Sequence, residues 1–122
     1  PANFDLRNKY FVGVWENGNC LGVLDLLKGY PNRNCIWIGL IMIHGLLQRR
    51  QIGHTIVSAI FEAAKIMGYD AVQLGVVDNN KKALRFWEKL GFEKIRESRV
   101  KHTDKPDWNV IIMEKWVAAQ KI

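Results

Sequence analysis

Neither of the two glycine-rich loops that most often bind nucleotides is present in this sequence. No G-x-x-x-x-G-K-[ST] run occurs, which excludes a P-loop, and no G-x-G-x-x-G follows a predicted strand, which leaves a dinucleotide-binding fold unsupported. Cysteine is scarce, and Cys20 and Cys35 have neither C-x-x-C nor metal-ligand spacing. No metal site is therefore expected, and two buried, reduced thiols fit better than a disulfide framework.

Long apolar runs are also missing. The longest one extends from Ile36 to Ile43, is interrupted by Gly39 and is far too short to span a bilayer. No signal-peptide pattern stands at the start of the sequence. We therefore expect a cytoplasmic protein without a membrane partner. The sequence begins at Pro1 rather than at a methionine, which indicates a fragment or a processed product.

The composition predicts one ordinary globular domain over residues 1–122. Hydrophobic residues make up 48% of the chain and charged residues 25%. Eighteen Lys and Arg against twelve Asp and Glu give a formal charge of +6. That charge suits anionic partners such as nucleotides, phosphates, nucleic acid or acidic surfaces, and it is equally compatible with a role in solubility alone.

Turn signals and hydrophobic periodicity divide the chain into eight elements. Asn17-Gly18 predicts a hairpin, and apolar residues at Ile52, Ile56, Ile60, Ala63 and Met67 predict a helix that stops at Gly68. The predicted elements are strands over Lys9–Trp15, Cys20–Leu27 and Cys35–Ile43, a helix from Ile52 to Gly68, a strand over Ala71–Val77, a helix from an N-cap at Asn79 or Asn80 to Gly91, and strands over Phe92–Lys101 and Trp108–Val117.

The order βββ-α-β-α-ββ predicts a mixed α/β (α+β) fold. The strand–helix–strand unit from Cys35 to Val77 implies a parallel strand pair joined by a right-handed crossover. We expect the other strands to be antiparallel, the Cys35–Ile43 strand to be central because it is apolar on both faces, and the helices to flank the sheet.

Two segments carry the functional signal. Gln48-Arg49-Arg50-Gln51-Ile52-Gly53 opens the first helix, and a helix N-terminus offers free backbone N–H groups and a positive end to an anion. The segment Asn80–Phe92 is a short amphipathic helix that carries several cations and ends at Gly91. Together they predict a large anionic cofactor held by backbone groups and flanking Lys and Arg.

From Lys9 to Val117 the chain resembles the GNAT superfamily of acyl-CoA-dependent N-acetyltransferases. The phosphate loop of that family, [Gln/Arg]-x-x-Gly-x-[Gly/Ala], is matched by Gln48 to Gly53, except that Gln51 replaces the central glycine. A helix N-terminus with ordinary α dihedrals accepts a side chain there, so we retain the site. The more specific second motif, Asn-x-x-Ala-x-x-[Phe/Leu]-[Tyr/Trp]-x-x-x-Gly-Phe, is matched by Asn80, Ala83, Phe86, Trp87, Gly91 and Phe92.

The resemblance implies a complete cofactor site. Backbone N–H groups of Gln51 to His54 would hold the CoA pyrophosphate, and Arg49 and Arg50 would add charge or form only a solvated turn. Pantetheine would lie between the splayed strands on either side of the loop, where a backbone N–H near Met42 or Ile43 would bind the thioester oxygen. The implied cofactor-binding residues are Ile41, Met42, Ile43, Gln48, Arg49, Arg50, Gln51, Ile52, Gly53, His54, Asn80, Ala83, Phe86, Trp87 and Lys89.

Several of these residues also have ordinary structural explanations. The strand side chains are expected to be core, Asn80 serves equally as an N-cap, and His54 is expected to be an exposed polar residue. Lys81, Lys82 and Lys89 would meet the 3′-phosphate or line a wet surface, and we favour the surface for at least two of them.

The catalytic groups are less well defined than the cofactor site. Trp87 stands where many family members have a Tyr that protonates the leaving thiolate, and an indole N–H has negligible acidity. Water would then serve, or CoA would leave as the thiolate. The candidate bases are His44, Glu16 and Asp78, of which His44 has the most suitable intrinsic pKa, although a strand-end His is more often structural. Asp78 would accept a proton through water or simply cap the helix.

The leading functional hypothesis is acetyl transfer from acetyl-CoA to a primary amine, of a small molecule or a protein, by direct attack in a ternary complex. A non-catalytic acyl-CoA-binding module is the alternative. Binding of nucleic acid ranks last, because the basic residues cluster at the two cofactor motifs. The strand and helices with which family members usually begin are missing before Lys9, so we expect the outer hairpin strand to pair with a second copy or with a lost N-terminal segment.

Overall fold

The computed structural model describes residues 9–43, 52–101 and 103–118. All eight predicted elements are present in the predicted order. They are β1 (Lys9–Glu16), β2 (Asn19–Lys28), β3 (Cys35–Ile43), α1 (Ile52–Ile66), β4 (Ala71–Val77), α2 (Lys81–Lys89), β5 (Glu93–Val100) and β6 (Trp108–Trp116).

The first hairpin forms where its turn residues require it. Asn17 has φ 51° and Gly18 has φ 80°, the pair of positive angles that a tight hairpin turn between twisted strands needs. The turn sets Glu16 opposite Asn19, and the ladder then extends to Lys9 opposite Leu27 with one irregularity between Val14 and Trp15. The Asn-Gly signal therefore determines the register of β1 on β2.

The six strands form one mixed sheet in the order β1-β2-β3-β4-β6-β5, with β3 in its interior as predicted. The pairs β1–β2, β2–β3 and β5–β6 are antiparallel. Since β3 and β4 are neighbours joined through α1, they supply the predicted parallel pair. The predicted fold class is confirmed.

By its contacts the chain divides into two compact units, Pro1–Val72 with Trp116–Ile122, and Gln73–Lys115. The prediction of one domain over residues 1–122 stays a prediction. Buried apolar residues of the first unit are Leu24, Leu27, Cys35, Ile36, Ile38, Ile56, Val57, Ile60, Ala64, Ala71 and Val72. Those of the second are Leu74, Val76, Trp87, Leu90, Phe92, Ile112 and Met113.

The buried face of α1 differs in part from the predicted one. Ile56 and Ile60 are buried as expected, but Ala63 is exposed and Met67, beyond the end of the helix, is 47% exposed. Val57 and Ala64 are fully buried instead. The face therefore follows an i, i+1, i+4, i+8 spacing, which is the drift that a repeat of 3.6 residues produces over two turns.

The two thiols differ in burial. Cys35 is buried as expected, whereas Cys20 is only partly buried, and its Sγ lies 3.5 Å from the Gly22 carbonyl oxygen. In the part of the chain described above, neither helix is long and apolar enough to cross a membrane.

Candidate active site

The N-terminus of α1 is the described part of the predicted anion site. Gly53, in the first turn, is buried, and His54 is exposed as expected. The first turn contains no acidic side chain, so no local carboxylate offsets the positive helix end. The preceding loop residues His44, Gln48, Arg49, Arg50 and Gln51 lie outside the described residues, and their predicted roles stay predictions.

A bulge precedes the predicted thioester-binding segment of β3. In the ladder with β2, Asp25 is opposite Leu40 and Leu26 is opposite Ile38, so Gly39 is an extra residue. A Cβ on Gly39 would lie 3.4 Å from Asp25 Cγ and Oδ2, close to an ordinary van der Waals contact with that side chain. Bulges bend a strand and re-aim the residues that follow, which here are Ile41 to Ile43.

The two ends of α2 account for most of the second motif. Asn80 is the N-cap: its Oδ1 accepts a hydrogen bond from Ala83 N at 3.2 Å, which decides between the two cap positions that the sequence allowed. At the other end, Phe92 N donates to Trp87 O at 3.0 Å, and Gly91 N donates to Glu88 O at 3.0 Å. With Gly91 at φ 95°, this is a Schellman cap.

Trp87 completes that cap through its side chain. Its ring lies 5.2 Å from the ring of Phe92 at an interplanar angle of 72°, and 4.9 Å from the ring of Phe86. In a Schellman motif an apolar contact commonly joins the C3 residue to the C″ residue. With Leu90 as the C-cap, these two residues are Trp87 and Phe92. Trp87 is only 8% exposed and packs against Phe86 and Phe92, while its predicted contact with the cofactor stays a prediction.

The outer surface of α2 is strongly cationic. Lys81, Lys82, Arg85 and Lys89 are all exposed, and Glu88 is the only acidic residue in the helix. Exposure is compatible both with contact to the 3′-phosphate and with a solvated surface, so the choice between these two roles for Lys81, Lys82 and Lys89 stays a prediction. Like charges four residues apart repel each other, which makes this surface attractive to an anion.

Asp78 does not cap α2, which corrects one of its two predicted roles. It lies at the end of β4, where its backbone N–H donates to Asn109 O at 2.9 Å and its Oδ2 accepts from Asn109 Nδ2 at 3.3 Å. Asn109 was not among the residues singled out from the sequence. It is one polar residue in a strand, 31 positions away, and no local pattern marks it.

Among the described residues, no three His, Cys, Asp or Glu side chains are grouped so that they would hold a metal ion. The polar groups at the N-terminus of α1 are backbone N–H groups, and those of α2 and the turn before it are amides, one carboxylate and cations. Helix N–H groups and cations attract anions, and a carboxylate is able to accept a proton.

The family follows from comparison with known proteins. The model of the acetyltransferase (GNAT) family matches residues 2–92, so the chain belongs to the GNAT acetyltransferase family, and its class of activity is acyl transfer. No curated protein is similar enough in sequence to count as a match.

Solved structures of other proteins share the fold. The ribosomal-protein-S18-alanine N-acetyltransferase of Escherichia coli superimposes with a TM-score of 0.77 at 18% identity, over 96% of this chain and 74% of that one. A Bacillus subtilis acetyltransferase in complex with CoA gives 0.72 at 20% identity, over 89% and 77%. A spermidine N-acetyltransferase SpeG chimera from Vibrio cholerae and hSSAT gives 0.76 at 17% identity, over 91% and 69%.

Proposed function

We propose that this protein transfers the acetyl group of acetyl-CoA to a primary amine by direct attack in a ternary complex. The observation that carries the proposal is α2, whose two ends are formed by the residues of the second motif, in a chain that belongs to the GNAT family. A helix built from those residues is the element to which the family resemblance assigns cofactor binding.

The cofactor would be held mainly by backbone groups and by cations. The N-terminus of α1, at Ile52 to His54, would bind the pyrophosphate, with charge added by Arg49 and Arg50. A structure similar to this chain contains CoA, which supports the choice of cofactor. The proposed contacts are those the resemblance implies: Ile41, Met42, Ile43, Gln48, Arg49, Arg50, Gln51, Ile52, Gly53, His54, Asn80, Ala83, Phe86, Trp87 and Lys89.

The chemistry proceeds by addition and elimination. The lone pair of a neutral amine attacks the thioester carbonyl carbon, and a backbone N–H near Met42 or Ile43 stabilises the oxyanion. The carbon–sulfur bond then breaks, CoA leaves as the thiolate, and the amine proton passes through water to Asp78 or to His44. The names of two structural neighbours, an alanine and a spermidine N-acetyltransferase, support an amine as the acceptor class.

Two measurements on the intact chain test this proposal. Acetyl-CoA should raise the melting temperature, because a ligand that binds only the native state stabilises it. A panel of small amines and peptides with free amino groups should then release CoA thiol, measured with a thiol reagent, only when both substrates are present. Absence of binding by calorimetry at millimolar acetyl-CoA would overturn the proposal.

A non-catalytic acyl-CoA-binding module is the second candidate, and one observation favours it. Trp87 occupies the position of the family's proton-donating Tyr, and its buried indole cannot give up a proton. This candidate predicts the same rise in melting temperature with acetyl-CoA. It differs in predicting no thiol release above the buffer rate with any amine in the panel.

A further inference from the structure

Asn109, in β6, holds Asp78 at two points. The carbonyl oxygen of Asn109 accepts a hydrogen bond from the Asp78 backbone N–H at 2.9 Å. The side-chain amide of Asn109 donates to Asp78 Oδ2 at 3.3 Å, and both residues are partly buried. A residue held through its backbone and its carboxylate together cannot rotate without breaking one of the two bonds. Asp78 is therefore fixed in both position and direction.

Asp78 is the first residue of the turn that leads into α2. In that turn Asn80 N donates to Val77 O at 2.9 Å, and Asn80 Oδ1 accepts from Ala83 N at 3.2 Å. Asp78 lies in the chain between Val77 and Asn80, which this hydrogen bond joins. The conformation of Asp78 therefore sets where Asn80 lies and how α2 begins. The bonds from Asn109 thus reach the N-cap through the backbone of the turn.

The Asn109 amide also affects the pKa of a second carboxylate, that of Glu97. A hydrogen bond from Lys94, then one from Asn109, lowers the pKa of Glu97 below its ordinary value. Lys94 Nζ lies 2.6 Å from Glu97 Oε1. The Asp78 carboxylate oxygen can only accept, so the amide nitrogen of Asn109 rather than its amide oxygen must face it. The orientation of the Asn109 side chain is therefore determined by its surroundings.

We propose that Asn109 is a positioning residue for cofactor binding, which acts by holding Asp78 and the β4–α2 turn so that Asn80 meets acetyl-CoA. This inference rests on the proposed function, because it takes Asn80 to contact the cofactor. Removing the Asn109 side chain should weaken acetyl-CoA binding about tenfold, which corresponds to about 1.4 kcal/mol. That is the scale of a net hydrogen bond to a charged group.

The experiment compares four forms of the full chain with the wild type: Asn109→Ala, Asn109→Asp, Asp78→Asn with Asn109→Asp, and Asp107→Ala. Calorimetry gives the Kd for CoA and for acetyl-CoA, and a melting curve checks that each form folds. Asn109→Ala should bind about tenfold more weakly than the wild type. Asn109→Asp should be weaker still, because it replaces a donor by a carboxylate next to Asp78.

The double variant is the decisive form. It reverses the donor and the acceptor and so restores the bond between positions 78 and 109. Both the double variant and Asn109→Asp place a new carboxylate at position 109. Any effect of that carboxylate on Glu97 therefore cancels when the acetyl-CoA affinities of the two forms are compared. The double variant should bind acetyl-CoA more tightly than Asn109→Asp by about tenfold. Equal affinity of the two forms would overturn the proposal.

Asp107→Ala is the control for general weakening of the β5–β6 hairpin. It removes the 3.5 Å contact between Asp107 Oδ2 and Arg99 Nε. That contact lies in the β5–β6 hairpin and involves no residue of the β4–α2 turn. Its acetyl-CoA affinity should equal that of the wild type, and an equal loss in Asp107→Ala and Asn109→Ala would contradict a positioning role. If the wild type itself binds no acetyl-CoA, the proposed function fails first, and this inference fails with it.

Discussion

The side chain of Lys115 occupies the space beside Gly91 that a Cβ would take. A Cβ built on Gly91 would lie 2.6 Å from Lys115 Nζ and 3.4 Å from its Cε. Gly91 has φ 95° and follows the last turn of α2, so the ammonium group lies near the end of the helix where cations are favoured. The backbone angle therefore favours glycine here, and the Lys115 side chain is a second group that a Cβ would have to displace.

Gly91→Ala should destabilise the protein, and Gly68→Ala separates the two reasons. Gly68 ends α1 in the same type of cap, with φ 85°, but a Cβ there would meet nothing within 4 Å. Each change should lower the free energy of unfolding by about 1–2 kcal/mol through the positive φ. Because Lys115 Nζ is the mobile end of a long side chain, Gly91→Ala should cost only slightly more.

Chemical denaturation of both alanine variants measures these costs. Adding Lys115→Ala to Gly91→Ala should bring its cost to that of Gly68→Ala. A loss at Gly91 that is several kcal/mol larger, and unchanged by removing Lys115, would show that another contact determines the requirement for glycine.

Gly53→Asp should abolish acetyl-CoA binding. The carboxylate would lie in the first turn of α1, where it opposes the phosphates of the cofactor. An acidic residue at a helix N-terminus interacts favourably with the helix, whereas a carboxylate at this buried position loses hydration, so a melting curve checks that the variant folds. Calorimetry with acetyl-CoA measures the effect.

Gly53→Ala is the matched control for that change, because it adds a Cβ at the same buried position without a charge. It should keep measurable affinity, and both variants should have melting temperatures that show a folded protein. If Gly53→Asp binds acetyl-CoA as tightly as Gly53→Ala, the phosphates are bound elsewhere.

The predicted homodimer concerns β1, which pairs with β2 alone among the described strands and so forms one edge of the sheet. Trp15, near its end, is 66% exposed. Exposed edges of this kind promote strand pairing between chains. Light scattering at increasing protein concentration should give the mass of a dimer, and Trp15→Lys should shift it toward the monomer.

The matched control for this test is Trp116→Lys, since Trp116 in β6 is also exposed, at 57%. It should leave the mass unchanged. A wild-type monomer at the highest concentration reached would show the prediction to be wrong.

Local signals were strong enough to predict the elements of this fold from sequence. Asn17-Gly18 marks the first turn, and Gly68 and Gly91 mark the ends of the two helices, because each needs a positive φ that other residues adopt at a cost. The choice between Asn79 and Asn80 needed the structure, since both residues are good N-caps and only the hydrogen bond to Ala83 distinguishes them.

The candidate site was only partly predictable for a different reason. The segments proposed to bind through backbone groups carry local patterns, and these predicted the N-terminus of α1 and the ends of α2. The contact between Asn109 and Asp78 joins positions 31 apart and depends on how β6 aligns with the end of β4. That alignment cannot be predicted from one sequence, because strand pairing leaves no characteristic spacing between the two residues along the chain.

Trp87→Phe should leave the chemical step unchanged, because Trp87 packs rather than donates a proton. Its ring contacts Phe92 at 5.2 Å in the cap of α2, and phenylalanine retains an aromatic contact there with less area. The variant should lose about 1 kcal/mol of stability, because the smaller ring buries less apolar area. Steady-state kinetics should give an unchanged kcat and a modest rise in the KM for acetyl-CoA. Trp87→Tyr is the matched variant, since it places a phenol where the family resemblance expects one. A fall in the kcat of Trp87→Phe by about a thousandfold with unchanged cofactor affinity, the scale of a lost proton donor, would refute the packing role.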